Sequence, residues 1–233
     1  MATRPNPRPP SRRAALLGCG AALAAILAGY GGYLRSTANR TGPSFPATAP
    51  STAPATQPTA PSLPGEWKLI FHDEFDGPAL ADVWTPHQYW SDGPTVGEGD
   101  EQSDPANVSL NNGCLRLTAR KDNRFGKPYT GALAQSGGIR DRKSIRTFAF
   151  LYGYAEACIR IPQGRGLWPA FWLMPASYHD ANGELDVMDN GTGDPNVLHA
   201  SAIRLGRKEQ HPHAGTLSPG FHTFAINWQR DHV

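Results

Sequence analysis

Beyond residue 65 the chain consists of short β-prone runs separated by turn signals, and no segment shows a long apolar repeat of 3.6 residues. The segment 152–161 alternates: Ala155, Ala157, Ile159 and Ile161 share one face, and more polar side chains occupy the other. Such alternation is typical of a strand with two different faces. Many short strands joined by Gly- and Pro-rich turns predict an all-β sandwich or jelly roll.

Other strands are predicted along the same domain. Val108–Leu110 and Cys114–Ala119 flank Asn111-Asn-Gly113, which indicates a hairpin closed by an Asn-Gly turn. The remaining strand candidates are Trp67–Phe71, Trp168–Met174, Glu184–Met188, Val197–Ile203 and Phe221–Trp228.

The N-terminal 35 residues have a different character. Four arginines precede an apolar run from Ala14 to about Leu34. A basic start followed by an apolar run is the pattern of an export signal, and about 20 such residues can also cross a bilayer as a helix. Residues 1–35 are therefore interpreted as a signal peptide or membrane anchor built on an apolar helix. Arg12-Arg13 also leaves a twin-arginine signal open, and Cys19 a lipoprotein cleavage box.

Residues 36–64 are mostly Pro, Ala, Thr and Ser, and they hold too little apolar surface to offset the entropy of ordering. A disordered, extended linker is expected there. Glu66 is the first acidic residue, so the globular domain is placed at 65–233. Residues 1–65 carry six arginines and no acid, which leaves 16 basic and 20 acidic residues beyond them. This mildly acidic domain lacks the basic footprint of a nucleic-acid-binding protein.

Glu184, Asp186 and Asp189 are the most informative charged residues. Residues i and i+2 of a strand share a face, so Glu184 and Asp186 point the same way, whereas strict alternation sends Asp189 to the opposite side. A β-bulge at Val187-Met188 would return Asp189 to the same face. Three ionised acids there would repel one another, so one is expected to hold a proton near neutral pH, as retaining glycosidases require. The alternative is an edge strand with a solvated acidic face.

The segment Leu167-Trp-Pro-Ala-Phe-Trp-Leu-Met-Pro175, followed by Gly183-Glu-Leu-Asp-Val-Met-Asp189, resembles the core signature of glycoside hydrolase family 16 in its laminarinase-like, bulged form. The resemblance spans about residues 66–233 and implies a concanavalin-like β-jelly-roll with a glycan cleft. It also implies a retaining, endo-acting hydrolase of β-1,3 or mixed β-1,3/1,4 glucan or of a related exopolysaccharide. Other matching segments are Phe71–Gly77, Ala106–Val108, Asn112-Gly113, Tyr152–Tyr154 with Glu156, Ile161–Gly166 and Phe221–Trp228.

By the same resemblance, Glu184 is the nucleophile and Asp186 holds the charge and hydrogen-bond network. Asp189 occupies the acid/base position, where the family has glutamate, and aspartate is shorter by about 1.5 Å. Weakened activity with a water-relayed proton is expected, and the alternative is a catalytically impaired glycan-binding protein of the same fold. The stretch 227–233 resembles the start of a segment that family members continue for several strands, so the domain is expected to be incomplete at its C-terminus.

Three further residues are candidates for substrate binding. Trp168 and Trp172 lie four apart on one predicted face, and aromatic rings stack on sugars; packing in the sandwich core is the alternative. His199 follows on the next predicted strand, although the family's histidine also aligns with Ile203.

The expected partner is a polysaccharide, with membrane contact through the apolar leader and no nucleic acid. An exported monomer is expected, in the periplasm, at the cell surface or secreted.

No cofactor or catalytic metal is expected. The resemblance implies at most a structural calcium, for which Glu74 and the Gly113 carbonyl are the candidates. Cys114 and Cys158 both fall in predicted strands of an exported domain. They form either a disulfide or two partly buried thiols.

Overall fold

The computed structural model describes residues 21–29, 61–88, 95–96, 100–136, 148–162, 166–176, 183–190, 197–204, 207–214 and 220–233. Within these residues the regular structure is β-strand apart from two 3₁₀ turns, Pro105–Asn107 and Arg124–Gly126. The strands are β1 (Ala21–Gly29), β2 (Thr95–Val96), β3 (Glu101–Ser103), β4 (Val108–Leu110), β5 (Leu115–Leu117), β6 (Arg120–Lys121), β7 (Tyr129–Gln135), β8 (Gly153–Ile159), β9 (Leu167–Pro175), β10 (Gly183–Asp189), β11 (Val197–Arg204), β12 (Arg207–Ala214) and β13 (His222–Trp228).

Most of these strands belong to one large sheet. Its order is β12-β11-β10-β9-β1-β7-β3-β2, and β6 also pairs with β7. The pairs are antiparallel except β3 with β7. β8 and β13 form a second, two-stranded sheet, and β4 and β5 form a separate pair.

The core lies between the large sheet and the β8–β13 sheet. Phe171, Leu173 and Met188 are nearly inaccessible to solvent and anchor it. On β8, the predicted alternation is confirmed, because one face packs into this core while Glu156 and Cys158 of the other face are exposed. Burial of apolar surface from both sheets stabilises a β-sandwich, as predicted. The large sheet supplies Phe171, Leu173, Leu185, Met188 and Leu198, and the small sheet supplies Ala155, Ala157, Ile159, Phe224 and Ile226.

The predicted Asn-Gly hairpin is confirmed. β4 and β5 pair in antiparallel register, and Asn111 and Cys114 exchange backbone hydrogen bonds of 3.0 and 3.2 Å. Asn112 and Gly113 both have positive φ, 51° and 66°. A two-residue turn with two positive φ values matches the twist of the flanking strands.

The prediction of a strand at Trp67–Phe71 is wrong. Residues 66–76 form no ladder, and Leu69 and Ile70 are 58% and 62% exposed. A β-prone run becomes a strand only where another backbone is available to pair with it. Aromatic contacts hold this segment instead: the Trp67 indole donates to the Leu63 carbonyl at 3.1 Å, and the Phe71 ring stacks on Phe148 at 4.6 Å.

The N-terminal apolar helix is not confirmed, because residues 21–29 form strand β1 between β7 and β9. Ala24 lies opposite Gln135 on one side and Trp172 on the other. A wholly apolar run suits a helix or a doubly paired strand, and periodicity does not distinguish the two. The remaining leader and most of the linker, residues 1–20 and 30–60, lie outside the described residues. In the part of the chain that is described, no helix is long and apolar enough to cross a membrane.

A buried acid lies where β3 pairs with β7. Glu101 is 1% exposed, and its Oε2 atom has no hydrogen-bond partner. Burial raises the pKa of Glu101 to about 7, against the opposing effects of the Gly131 N–H and the charge of Lys127. The carboxyl is therefore protonated over much of the acidic range in the folded chain.

Replacement of Glu101 by glutamine should remove a pH dependence of stability. The unfolded acid loses its proton near 4.5 and the folded acid near 7. The stability from this group is thus complete below the unfolded pKa and is lost as pH rises through the folded one. The free energy of unfolding of the wild type should fall relative to Glu101→Gln by roughly 3 kcal/mol across this interval.

Urea unfolding at a series of pH values measures the difference. Asp100→Asn is the control, because it removes an exposed carboxyl one residue away. A gap between wild type and Glu101→Gln that does not change with pH would contradict the assignment.

Candidate active site

Strand β10 contains a β-bulge between Asp186 and Asp189. Asp186 lies opposite Trp172 and Asp189 lies opposite Ala170, so three steps along β10 match two along β9. The extra residue falls at Val187, as predicted. Directly opposed residues of an antiparallel pair point to the same side, and Trp172 and Ala170 are two apart on β9. Asp189 is therefore on the same face as Asp186.

The other side of β10 faces the core. Leu185 packs with the Leu173 cluster, and Met188 packs with Phe171. The acids Glu184, Asp186 and Asp189 thus share the face of β9, β10 and β11 that points away from the core. We call this the carboxylate face.

Strand β11 adds a parallel row of side chains to the carboxylate face. The register sets Glu184 opposite Ile203, Asp186 opposite Ser201 and Asp189 opposite His199. Opposed Cβ atoms in such pairs are about 4.5–5.5 Å apart. The predicted binding residue His199 therefore lies next to Asp189. Ile203, the other residue that aligns with the family's histidine, lies beside Glu184.

On the β9 side, Trp168 and Trp172 share the carboxylate face with the acids. The Trp168 indole N–H donates a hydrogen bond to Oδ1 of Asp189. This bond draws the Asp189 carboxyl toward β9 and occupies one of its oxygens. The interpretation of both tryptophans as core residues is wrong, since the core side of β9 is formed by Phe171 and Leu173.

Several buried polar atoms on this face have no hydrogen-bond partner. They are Nε1 of Trp172, both ring nitrogens of His199, and Oγ of Ser201. An unpaired buried polar group costs about 1–3 kcal/mol, so each of these groups requires a partner from ordered water or from a ligand. Ser201 was missed by sequence reasoning; its only signal is its position two residues from His199 on the same strand.

The two calcium candidates, Glu74 and Gly113, are neighbours. A Cβ placed on Gly113 would lie 3.8 Å from the Glu74 carbonyl oxygen. Calcium takes six to eight oxygen ligands, and the described residues include no group of three His, Cys, Asp or Glu side chains that could hold a metal ion. The structural calcium therefore stays a prediction.

Cys114 and Cys158 are free thiols in the structure. Although Cys158 is exposed overall, partial desolvation raises the pKa of its thiol. The thiolate is the reactive form, so this shift makes Cys158 less reactive.

The structure is therefore a β-sandwich that carries acids and indole rings together on one face of its large sheet. Residues 99–233 match the family model for glycosyl hydrolases family 16. The chain belongs to glycoside hydrolase family 16.

The similar proteins agree with this assignment. The β-glucanase of Rhodothermus marinus is 28% identical over 189 residues, 72% of this chain and 61% of that protein. Endo-1,3-1,4-β-glycanase EglC of Rhizobium meliloti is 28% identical over 184 residues, 70% of this chain and 39% of that protein. The chain thus spans less than two thirds of the length of these relatives.

The chain is also similar to solved structures of a glucanase and a laminarinase. The endo-β-1,3-glucanase of Pyrococcus furiosus superposes with a TM-score of 0.54 at 28% identity, covering 70% of this chain and 68% of that one. The laminarinase of Rhodothermus marinus gives 0.54 at 27% identity, with coverages of 71% and 69%.

Removal of the Ser201 hydroxyl should separate stability from glycan binding. Because Oγ of Ser201 is buried and unpaired, Ser201→Ala is expected to raise the free energy of unfolding by roughly 1 kcal/mol. The same change should weaken retention by laminarin in affinity gels, since a ligand loses its partner. Urea unfolding gives the first quantity.

Ser136→Ala is the matched control. Its hydroxyl is also buried, but it donates to the Phe148 carbonyl at 3.3 Å. This variant should lose stability and keep laminarin retention. Equal losses of stability in both variants would show that Ser201 has a structural partner.

Proposed function

We propose that the protein is a retaining, endo-acting hydrolase of β-1,3 or mixed β-1,3/1,4 glucans or of a related exopolysaccharide. The observation that carries the proposal is the bulge in β10, which brings Asp189 onto the face of Glu184 and Asp186. The names of the relatives support the substrate class, because they are glucanases and laminarinases.

In this mechanism Glu184 attacks the anomeric carbon and forms a covalent glycosyl-enzyme intermediate. The leaving oxygen takes a proton from the acid/base position at Asp189. A water molecule then displaces Glu184 and gives its proton back at the same position, so the configuration is retained. Asp186, 6% exposed and between the two, orients the carboxyl groups.

Glu184 and Asp189 are far apart along β10, so the acid/base side chain has to be long enough to reach the glycosidic bond. Counted on β9, Glu184 and Asp189 are about four residues apart, or roughly 13 Å along the strand. Retaining enzymes bring the two carboxyls to about 5–5.5 Å, so both side chains must lean toward one glycosidic bond. Aspartate gives up about 1.5 Å of that reach, and the hydrogen bond from Trp168 holds it on the β9 side. Weak acid catalysis, with a water relaying the proton, follows.

The rest of the carboxylate face suits a glucan chain. The rings of Trp168 and Trp172 can stack on the apolar faces of sugars. The unpaired atoms of Trp172, His199 and Ser201 can meet sugar hydroxyls. A glycan-binding protein without activity is the alternative; it rests on Asp189 alone, and the glucanase relatives do not favour it.

The proposal includes export of the chain as a monomer. The arginines and apolar run of residues 1–34 support export, by cleavage or by anchoring in the membrane. A polymeric glucan outside the cell is the substrate that such a location makes available.

An activated 2-deoxy-2-fluoro laminaribioside should label Glu184 covalently. The fluorine slows both steps, and the 2,4-dinitrophenolate leaving group needs no acid, so the adduct accumulates even with a weak proton donor. Mass spectrometry of peptic peptides should show one added disaccharide on residues 183–190. Glu184→Gln is the control and should remain unlabelled; a wild type that also stays unlabelled would favour the glycan-binding alternative.

Asp189→Glu should hydrolyse laminarin faster than the wild type. General acid catalysis contributes about 10²–10⁴-fold, and an increase of roughly tenfold in kcat is expected from restored reach. Reducing-sugar release measures it, with Asp189→Asn as the control that removes the proton donor without adding length. If Asp189→Glu is no faster than the wild type on any β-glucan, the reach argument fails.

A further inference from the structure

We propose that His199 is a further catalytic residue, which exchanges the proton with the glycosidic oxygen in partnership with the short Asp189. The inference deepens the proposed function and rests on it. It goes beyond the interpretation of His199 as a residue that only binds substrate.

The position of His199 supports a part in proton transfer. It lies directly opposite Asp189 across β10 and β11, with Cβ atoms about 4.5–5.5 Å apart. Trp168 contacts the same carboxyl from β9. Asp189 therefore lies between an indole that donates to it on one side and an imidazole on the other.

The imidazole also lacks the contacts of a structural histidine. Both ring nitrogens of His199 are buried, and neither has a hydrogen-bond partner. A neutral imidazole carries one donor and one acceptor, so both functions are left for a ligand. Its β12 partner by register is Pro212 and its same-face neighbour is Ser201, neither of which can titrate. By register, Asp189 is the nearest ionisable group to His199 among the described residues.

The length of the side chain accounts for the exchange of roles. The distal nitrogen of histidine lies farther from the backbone than the carboxyl of aspartate. On this proposal, His199 supplies the proton that the shorter Asp189 side chain does not deliver to the leaving oxygen. Asp189, held by Trp168, would then lie beside the imidazole and balance its charge.

The two steps balance without any added reactant. In the first, an oxygen of Glu184 bonds to the anomeric carbon as the glycosidic C–O bond breaks, and the leaving oxygen takes a proton from the His199 imidazolium. In the second, the neutral imidazole takes a proton from water. The water oxygen bonds to the anomeric carbon, and Glu184 departs as a carboxylate.

The test compares two substrates in full-length His199→Gln. Laminarin needs acid assistance, so its kcat/KM should fall by about 10²-fold. A 2,4-dinitrophenyl laminaribioside needs none, so its kcat/KM should stay within a few-fold of the wild type. Its kcat should fall, because the second step lacks a base, and azide should restore it with formation of the β-glycosyl azide.

Two comparisons make the result decisive. His211→Ala is the matched control, since His211 is exposed and lies opposite Ala200, on the side away from the carboxylate face; it should leave both substrates unaffected. Asp189→Ala shows which residue donates the proton. If Asp189→Ala loses activity on laminarin but not on the dinitrophenyl substrate, and azide restores its kcat, while His199→Gln shows neither effect, Asp189 is the sole donor and the inference is overturned. Equal losses on both substrates in His199→Gln, with no effect of azide, would assign His199 to binding and overturn it too.

The outcome is separable from failure of the proposed function. Glu184→Ala should be inactive on both substrates. If it is as active as the wild type, the hydrolase mechanism itself is wrong. If it is inactive while His199→Gln shows no selectivity, only the inference about His199 falls. A melting curve for each variant confirms that the compared proteins are folded.

Discussion

The extra residue in β10 is the constraint on which the site depends. A strand alternates its side chains strictly, so residues 184 and 189 would face opposite sides without an irregularity. The bulge places Met188 in the core beside Phe171 and Asp189 on the carboxylate face. Core packing and site assembly are therefore two results of one backbone feature.

The two faces of the large sheet follow different physical rules. On the core side, Phe171 and Leu173 are 1% exposed and packed by apolar neighbours. On the carboxylate face, Trp172, His199 and Ser201 keep buried polar atoms without partners. Each such atom lowers stability, and the apolar contacts beneath offset that cost. These atoms need hydrogen-bond partners from ordered water or from a ligand.

In the proposed mechanism, the short side chain of Asp189 changes the roles of its neighbours Trp168 and His199 in proton transfer. The indole of Trp168 fixes one of its oxygens, and the register sets His199 on its other side. A longer acid would need neither residue to reach the leaving oxygen. With aspartate, proton transfer becomes a property of a group of residues on three strands rather than of a single carboxyl.

Local pattern determined the elements whose signal lies within a few residues: the Asn-Gly hairpin, the alternating β8, and β9, β10, β11 and β13. Spacing and resemblance also predicted the bulge, which the register of β9 and β10 confirms, and named the candidate acids and tryptophans. Other features arise only from pairing between distant segments. Strand β12 contains Pro212 and mostly polar residues, and it is a strand because β11 pairs with it. The apolar run 21–29 is a strand rather than a helix because β7 and β9 pair with it. Trp67–Phe71 pairs with no strand and is irregular. The neighbours of Asp189 likewise come from cross-strand register, since hydrogen bonding between strands is non-local and one sequence position does not specify its partner.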